Sequence, residues 1–158
     1  MTPSVSNTAV PADTDCSRTQ IDPRGPRFGA SVTTVVLAAA LILNGTTVGT
    51  VLIAWQTLVF ALGAIVGLQA QPYGVFFRKV IKPRLGPPAE MEDAAPPRFA
   101  QAVGLGFLVV ALVASLLGAT VIVSVAVAFA LAAAFLNAAF AFCLGCEMYL
   151  LGQRLAHR

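Results

Sequence analysis

Charge is scarce in this sequence. Only 11% of its 158 residues are charged, while 58% are hydrophobic. A soluble domain carries about 25% charged residues, so this chain lacks the polar surface to coat a water-soluble globule. Histidine occurs once, at His157 near the end, where solvation is its expected state. No HExxH, P-loop or GxSxG motif occurs, and no pair of carboxylates lies within an apolar stretch. Zincin, P-loop nucleotide hydrolase and serine hydrolase chemistry therefore have no motif behind them. No small-residue cleavage site clearly follows the first apolar run, so no signal peptide is expected. The net charge of +3 comes without a nucleic-acid-binding motif, and no nucleic acid partner is expected.

What the chain has is apolar length. Four runs contain no Asp, Glu, Lys, Arg, His or Pro: Phe28 to Leu43, Val48 to Leu68, Phe99 to Leu117 and Ala119 to Cys143. Crossing a hydrocarbon core of about 30 Å takes roughly 20 helical residues. Spans are expected at about 28–44, 48–69, 99–117 and 119–143, with the short first run free to begin a turn earlier. Asn44 to Thr47 and Gly118 read as tight turns, so the helices pair as two antiparallel hairpins. Asn44 also opens an NGT sequon, which we read as a turn because it lies too close to the membrane. All ten prolines fall outside the runs, six of them between Pro72 and Pro97 in the connector. The fold class expected is an all-α four-helix transmembrane bundle of two tandem helical hairpins in the lipid bilayer. Residues 1–20 form a disordered, cytoplasmic, polar tail in this reading, and residues 21–158 the four-span membrane domain.

The basic residues set the expected topology. Lys and Arg are confined to the tail, to the connector and to the chain end, and both hairpin turns lack them. Four spans put all three basic segments on one side, and basic loops stay cytoplasmic, so both termini are expected inside. Within the connector, Tyr73, Phe76, Phe77 and Val80 follow helical spacing, with Arg78, Lys79 and Lys82 opposite. A short interfacial helix over about 73–82 is expected there, its aromatics at the acyl boundary and its cations at anionic headgroups. The competing reading is a ragged extension of the second span.

The tripeptide PRF occurs at Pro26 to Phe28 and again at Pro97 to Phe99. Tyr73 and Arg78 after the second run match Tyr149 and Arg154 after the fourth. These matches point to two parallel repeats about an axis along the membrane normal. Arg27 and Arg98 then sit at the cytoplasmic headgroups as anchors. Packing seams are expected at Gly63 and Gly67, at Ala30, Thr34 and Ala38, and at Ala126, Ala130, Ala134 and Ala138. The same seams serve equally for a homodimer. Asn137 is the strongly polar residue of the fourth run, and Gln56 is its candidate partner.

Cys143 and Cys146 stand three apart, and a continuous helix places them on one face, a turn apart. At a cytoplasmic boundary they are expected to be reduced rather than a structural disulfide. Their counterparts in the first repeat are Gly67 and Ala70, so the fold does not require sulfur there. Three chemistries stand open. A redox dithiol is first, with Arg154 and the connector lowering a thiol pKa and Glu147 raising it. A thiophilic metal site needs Cys16, His157 or a second chain, and lacks zinc-finger spacing. Inert thiols are the third. No metal or other cofactor is assigned on this pattern. Transport lacks intramembrane charge to couple it.

The stretches IDPRGPRFGASVTTVVLAAAL, QPYGVFFR, RLGPPAEMEDAAPPRFAQAVGL and FLNAAFAFCLGCEMYLL resemble the bacterial membrane family known as domain of unknown function 4395. The resemblance runs from about Ile21 to Leu151. It implies a bacterial cell (inner) membrane location and an association with thioredoxin-like or sulfurtransferase proteins, and its motif cysteines fall on Cys143 and Cys146. The function expected is therefore a thiol-redox or sulfur-metabolism component working through that pair. The alternative is a non-catalytic accessory subunit with silent cysteines, and Cys143→Ser with Cys146→Ser separates the two.

Overall fold

A computed structural model describes residues 20–88 and 90–156. The expectations for the tail, for Cys16, for His157 and for Arg158 lie outside the described residues. Four helices are long and apolar enough to cross a membrane, and the chain is a multi-pass, all-α membrane protein. They are α1 (Arg24–Ile42), α2 (Thr47–Ala61), which runs on through a π-helical turn (Leu62–Val66), α5 (Ala95–Leu116) and α6 (Thr120–Phe140). Between the hairpins come α3 (Pro72–Phe76), a second π turn (Phe77–Ile81) and α4 (Lys82–Leu85). After α6 comes α7 (Leu144–Ala156). Two short strands, β1 (Gln20–Ile21) and β2 (Glu92–Asp93), pair antiparallel, Gln20 with Asp93 and Ile21 with Glu92.

The first span starts at Arg24, a turn before its apolar run, because Asp22 accepts the Arg24 backbone N–H at 3.0 Å and closes the open helix end. The hairpin turns use left-handed glycines, Gly45 at φ 83° and Gly118 at φ 74°. Thr46 starts α2 by accepting the Gly49 N–H at 3.1 Å. The far ends of the hairpins are tied together. Asn44 donates to the Thr120 carbonyl at 2.9 Å and to Ser124 Oγ at 2.8 Å, so its amide is engaged in the turn. Thr50 and Ser115 hydroxyls meet at 2.6 Å.

The spans form a ring in which α1 touches α2, α2 touches α5, α5 touches α6, and α6 closes extensively on α1. Exchanging α1 with α5 and α2 with α6 maps this ring onto itself, as a pseudo-twofold along the membrane normal requires. The short helices obey the same exchange, since α3 packs on α1 and α7 packs on α5. So do the leading segments: Asp22 accepts from Arg24 N and Asp93 from Ala95 N, both at 3.0 Å. The repeat thus begins at the strand and ends at the short helix. The strand pair also fixes one relation outright, because residues 20–21 and 92–93 lie at the same end of the bundle.

The core is a cluster of Leu37, Ile53, Leu108, Val123 and Val127 with small residues between them. On α6, Ala126 and Ala130 are buried and Ala134 is half-buried, so the small-residue seam faces inward at its first two steps. On α1 the buried face is Ala30, Thr33, Leu37 and Ala40, not Ala30, Thr34 and Ala38. The burial period follows 3.6 residues rather than four. The expected GxxxG of α2 also divides. Gly63 is buried where an added Cβ would strike the Gln71 side chain, whereas Gly67, at φ 123°, ends the helix with open space around it. Gly67 is a terminator and packs no seam.

Polar groups in the bundle are satisfied in chains. Trp55 Nε1 donates to Tyr73 Oη, Tyr73 Oη donates to Gln56 Oε1, and Gln56 Nε2 donates to Thr33 Oγ1, at 3.0, 3.0 and 3.1 Å. Gln56 is therefore occupied by α1 and α3, and it is not the partner of Asn137. Gln71 Nε2 donates to the Val59 carbonyl and to Gln101 Oε1, at 3.1 and 2.7 Å. Among the described residues no buried side-chain nitrogen or oxygen lacks a hydrogen bond.

Candidate functional site

The sequence expectation carries the fourth span through Cys143. In the structure α6 stops at Phe140, and Ala141 turns left-handed at φ 55°. Nothing in the apolar composition marks this break. Cys143 consequently stands just ahead of α7, not within a continuous helix. The Cys146 backbone N–H donates to Cys143 Sγ at 3.4 Å, and the Glu147 N–H donates to the Cys143 carbonyl at 3.0 Å. Cys143 is thus the capping residue of α7, with sulfur where a hydroxyl or carboxylate oxygen usually sits.

The two sulfurs are joined in a disulfide across Cα atoms 5.2 Å apart. The pair thus stands in its oxidised form, where the reduced form is expected at a cytoplasmic boundary, because a residue at the cap and one in the first turn come within bridging reach. The positive end of α7 lies at the Cys143 sulfur. Arg154 does not supply that charge. It sits about 16 Å further along the helix axis, beyond a Debye length of about 8–10 Å. Glu147 stands in the first turn of the same helix.

The helix carrying the pair is docked closely. A Cβ built on Gly145 would lie 2.5 Å from Ala100 Cα and 2.6 Å from Ala100 Cβ. Gly145 is there to let α7 approach the backbone of α5. One turn on, the Tyr149 and Phe99 rings meet at 5.7 Å. Beside this contact lies a cleft of about 690 Å³ between the 67–69 loop, the start of α5 and α7, with Arg98, Tyr149 and Gln153 in its wall. A second cleft, of about 130 Å³, lies beside α1 and α3 and shares Ile21, Leu68 and Gln69 with the first. Phe77 projects there, buried against Phe28 at a ring distance of 5.9 Å, where the second repeat has Gln153.

The expected interface residues are placed as follows. Arg98 donates to the Ala64 and Ile65 carbonyls, both at 3.1 Å, and so closes the open end of α2. Its equivalent Arg27 is exposed on the first turn of α1. Arg78 donates to the Gln69 carbonyl at 2.8 Å, Lys79 is exposed and Lys82 is half-buried. Tyr73 and Phe77 depart from the expectation, because both point into the bundle, whereas Phe76 and Val80 remain exposed. The helical spacing puts all four on one face, but the face centre falls between Phe76 and Phe77, and packing against α1 takes Phe77. Burial raises the Tyr73 phenol above its ordinary range.

Sequence reasoning missed the Asp22–Arg24 clasp. The Arg24 guanidinium donates to both carboxylate oxygens of Asp22, at 3.1 and 3.0 Å, and to the Leu85 and Gly86 carbonyls. The signal was present: IDPRGPRF and EDAAPPRF share Asp as well as PRF. Among the described residues no group of three or more His, Cys, Asp or Glu side chains gathers at a metal-binding spacing.

Compared with known proteins, residues 21–154 match the sequence profile of one family, described as Domain of unknown function (DUF4395). No curated protein matches the chain. No solved structure matches it.

Proposed function

This chain belongs to the DUF4395 family, and from that premise we propose that it is a membrane-held thiol–disulfide exchange component working through Cys143 and Cys146. One observation carries the reading: the Cys143 sulfur caps α7 and is bridged to Cys146 in the next turn. The first repeat breaks its second span as well, at Gly67, without sulfur. The break alone does not account for two cysteines.

The step balances as follows. In the reduced chain the Cys143 thiolate attacks one sulfur of a partner disulfide, and the other partner sulfur leaves and takes a proton. The Cys146 thiolate then attacks Cys143, forming the disulfide seen here and releasing the second partner thiol. Two electrons and two protons pass from this chain to the partner, and the reverse sequence oxidises a partner dithiol. The partner class is a thioredoxin-like protein. A sulfurtransferase bearing a persulfide is the other partner class: the Cys143 thiolate attacks its outer sulfur, the S–S bond breaks, and Cys143 persulfide forms as the sulfurtransferase thiol is released.

A cytoplasmic position for the pair is supported by charge. Arg24, Arg27, Arg78, Lys79, Lys82, Arg84, Arg98 and Arg154 all belong to the end of the bundle that carries the strand pair, and the opposite turns carry no cation. That both termini lie inside follows from that reading, and a bacterial cell membrane is what the family resemblance implies.

The test is trapping in cells. Cys146→Ser is expected to accumulate a mixed disulfide through Cys143, while Cys143→Ser is expected to trap none. If neither variant traps a partner, and the wild-type pair stays oxidised in a reducing cytoplasm, the exchange reading is lost and the accessory role stands.

A further inference from the structure

We infer that α7 is an in-plane interfacial helix whose Leu144, Met148, Leu151 and Leu155 stripe is seated in the bilayer at the headgroup–acyl boundary. These four side chains are 39%, 55%, 57% and 65% exposed in the protein. At 100° per residue they fall within an arc of about 60°. The arc is not the docking face: Gly145 and Tyr149, which meet α5, lie about 90–130° around from its centre. A stripe this narrow and apolar, on a helix that also carries Glu147, Gln153 and Arg154, is the pattern of a helix lying on a membrane.

The occupant is lipid, by continuity. Phe140 closes α6 and is 68% exposed on a span that faces acyl chains, and Phe142, in the break, is 45% exposed. Exposed apolar residues thus continue along the chain from the end of α6 through Phe142 to the α7 stripe. On the opposite side of α7, about 170–190° from the stripe centre, lie Gln153 and Cys146. With the stripe in lipid, Cys146 and the Gln153 side of the cleft face water. The placement is independent of whether the sulfurs exchange electrons, since it rests on the apolar stripe alone.

Two native methionines provide the test. Met148 is on the stripe and Met91 is in the connector, and they are exposed to similar degrees, 55% and 46%. The unmodified chain is placed in lipid nanodiscs at one chain per disc, treated with peroxide, and the sulfoxide at each methionine is followed by mass spectrometry. Met148 is expected to oxidise at least about ten-fold more slowly than Met91, because the thioether is withheld from water. In a lipid-free, short-chain detergent solution the difference should shrink. Equal rates in the nanodisc overturn the inference and make the stripe a water-facing surface for a protein partner. Protection that appears only with several chains per disc also overturns it, assigning the stripe to a second copy. Neither readout depends on thiol chemistry, so a failed trapping experiment and a failed protection experiment remain distinct.

Discussion

Replacing Gly145 by alanine tests the docking of the cysteine-bearing helix directly. The new methyl would stand 2.5 Å from Ala100 Cα and 2.6 Å from Ala100 Cβ. Carbon atoms rest at about 3.5–4.0 Å, so one helix must retreat by about 1 Å. The obstacle is backbone, which cannot rotate away as a side chain can. Overpacking of this kind costs about 1–3 kcal/mol. Against it stands the helix preference of alanine over glycine, at most about 1 kcal/mol and less in a first turn. A net loss of about 1–2 kcal/mol is expected. Gly152, on the same helix, has nothing within 4 Å of a built Cβ, so Gly152→Ala should gain up to about 1 kcal/mol. Unfolding in mixed micelles, followed by circular dichroism, reads the difference between the two variants. A faster reduction of the Cys143–Cys146 disulfide by dithiothreitol in Gly145→Ala is the local readout. If the two alanine variants are equally stable, the close approach of α7 to α5 is wrong.

Gln56→Leu removes the centre of the Trp55–Tyr73–Gln56–Thr33 chain and leaves buried partners unpaired, at a cost of about 1–3 kcal/mol. Amide exchange in 72–76 should rise with it, and unchanged exchange there would count against the chain as the tie between α3 and the bundle. Arg98→Ala frees the Ala64 and Ile65 carbonyls. The guanidinium is exposed, so about 1 kcal/mol is expected, read as faster exchange at the end of α2. The Arg24 guanidinium holds the Asp22 carboxyl below its ordinary value of 3.8. A carboxylate with a lowered folded pKa stabilises above its unfolded value and loses that contribution as pH falls through the folded value. The clasp should therefore be constant above about pH 5 and fail in acid, while Asp22→Asn should be weaker at neutral pH and flat across the acid range. An acid limb of the same depth in both proteins would refute the clasp.

The spans were legible because their apolar length admits one reading in a short chain. Gly45, within the four polar or small residues Asn44 to Thr47, and Gly118, alone between its two runs, were legible as turns because each interrupts the apolar sequence. The end of α6 was not. Ala141 takes a left-handed conformation that alanine does not favour, and the residues around it are as apolar as the span. Tertiary packing of α7 on α5 decides that break, and composition carries no trace of it. Gly67 misled for a related reason: glycine four residues after glycine reads as a seam or as a stop, and only its φ of 123° separates them. Gln56 misled because its partners come from α1 and from α3, an element assigned to the membrane surface. The α7 stripe, in contrast, was present in the spacing of Leu144, Met148, Leu151 and Leu155 and was hidden by reading α6 through to Cys143.

The pairing of Gln20–Ile21 with Glu92–Asp93 has a bearing on biogenesis. The earlier strand leaves the ribosome long before its mate has been translated, and by then the intervening hairpin must already have been delivered to the bilayer. Had only one of its two helices been inserted, the mates would emerge in different compartments and could never join. The ribbon is thus a latch that engages only after a complete round trip of the chain, and a translation product halted before residue 92 should be recognisable to proteases as unlatched.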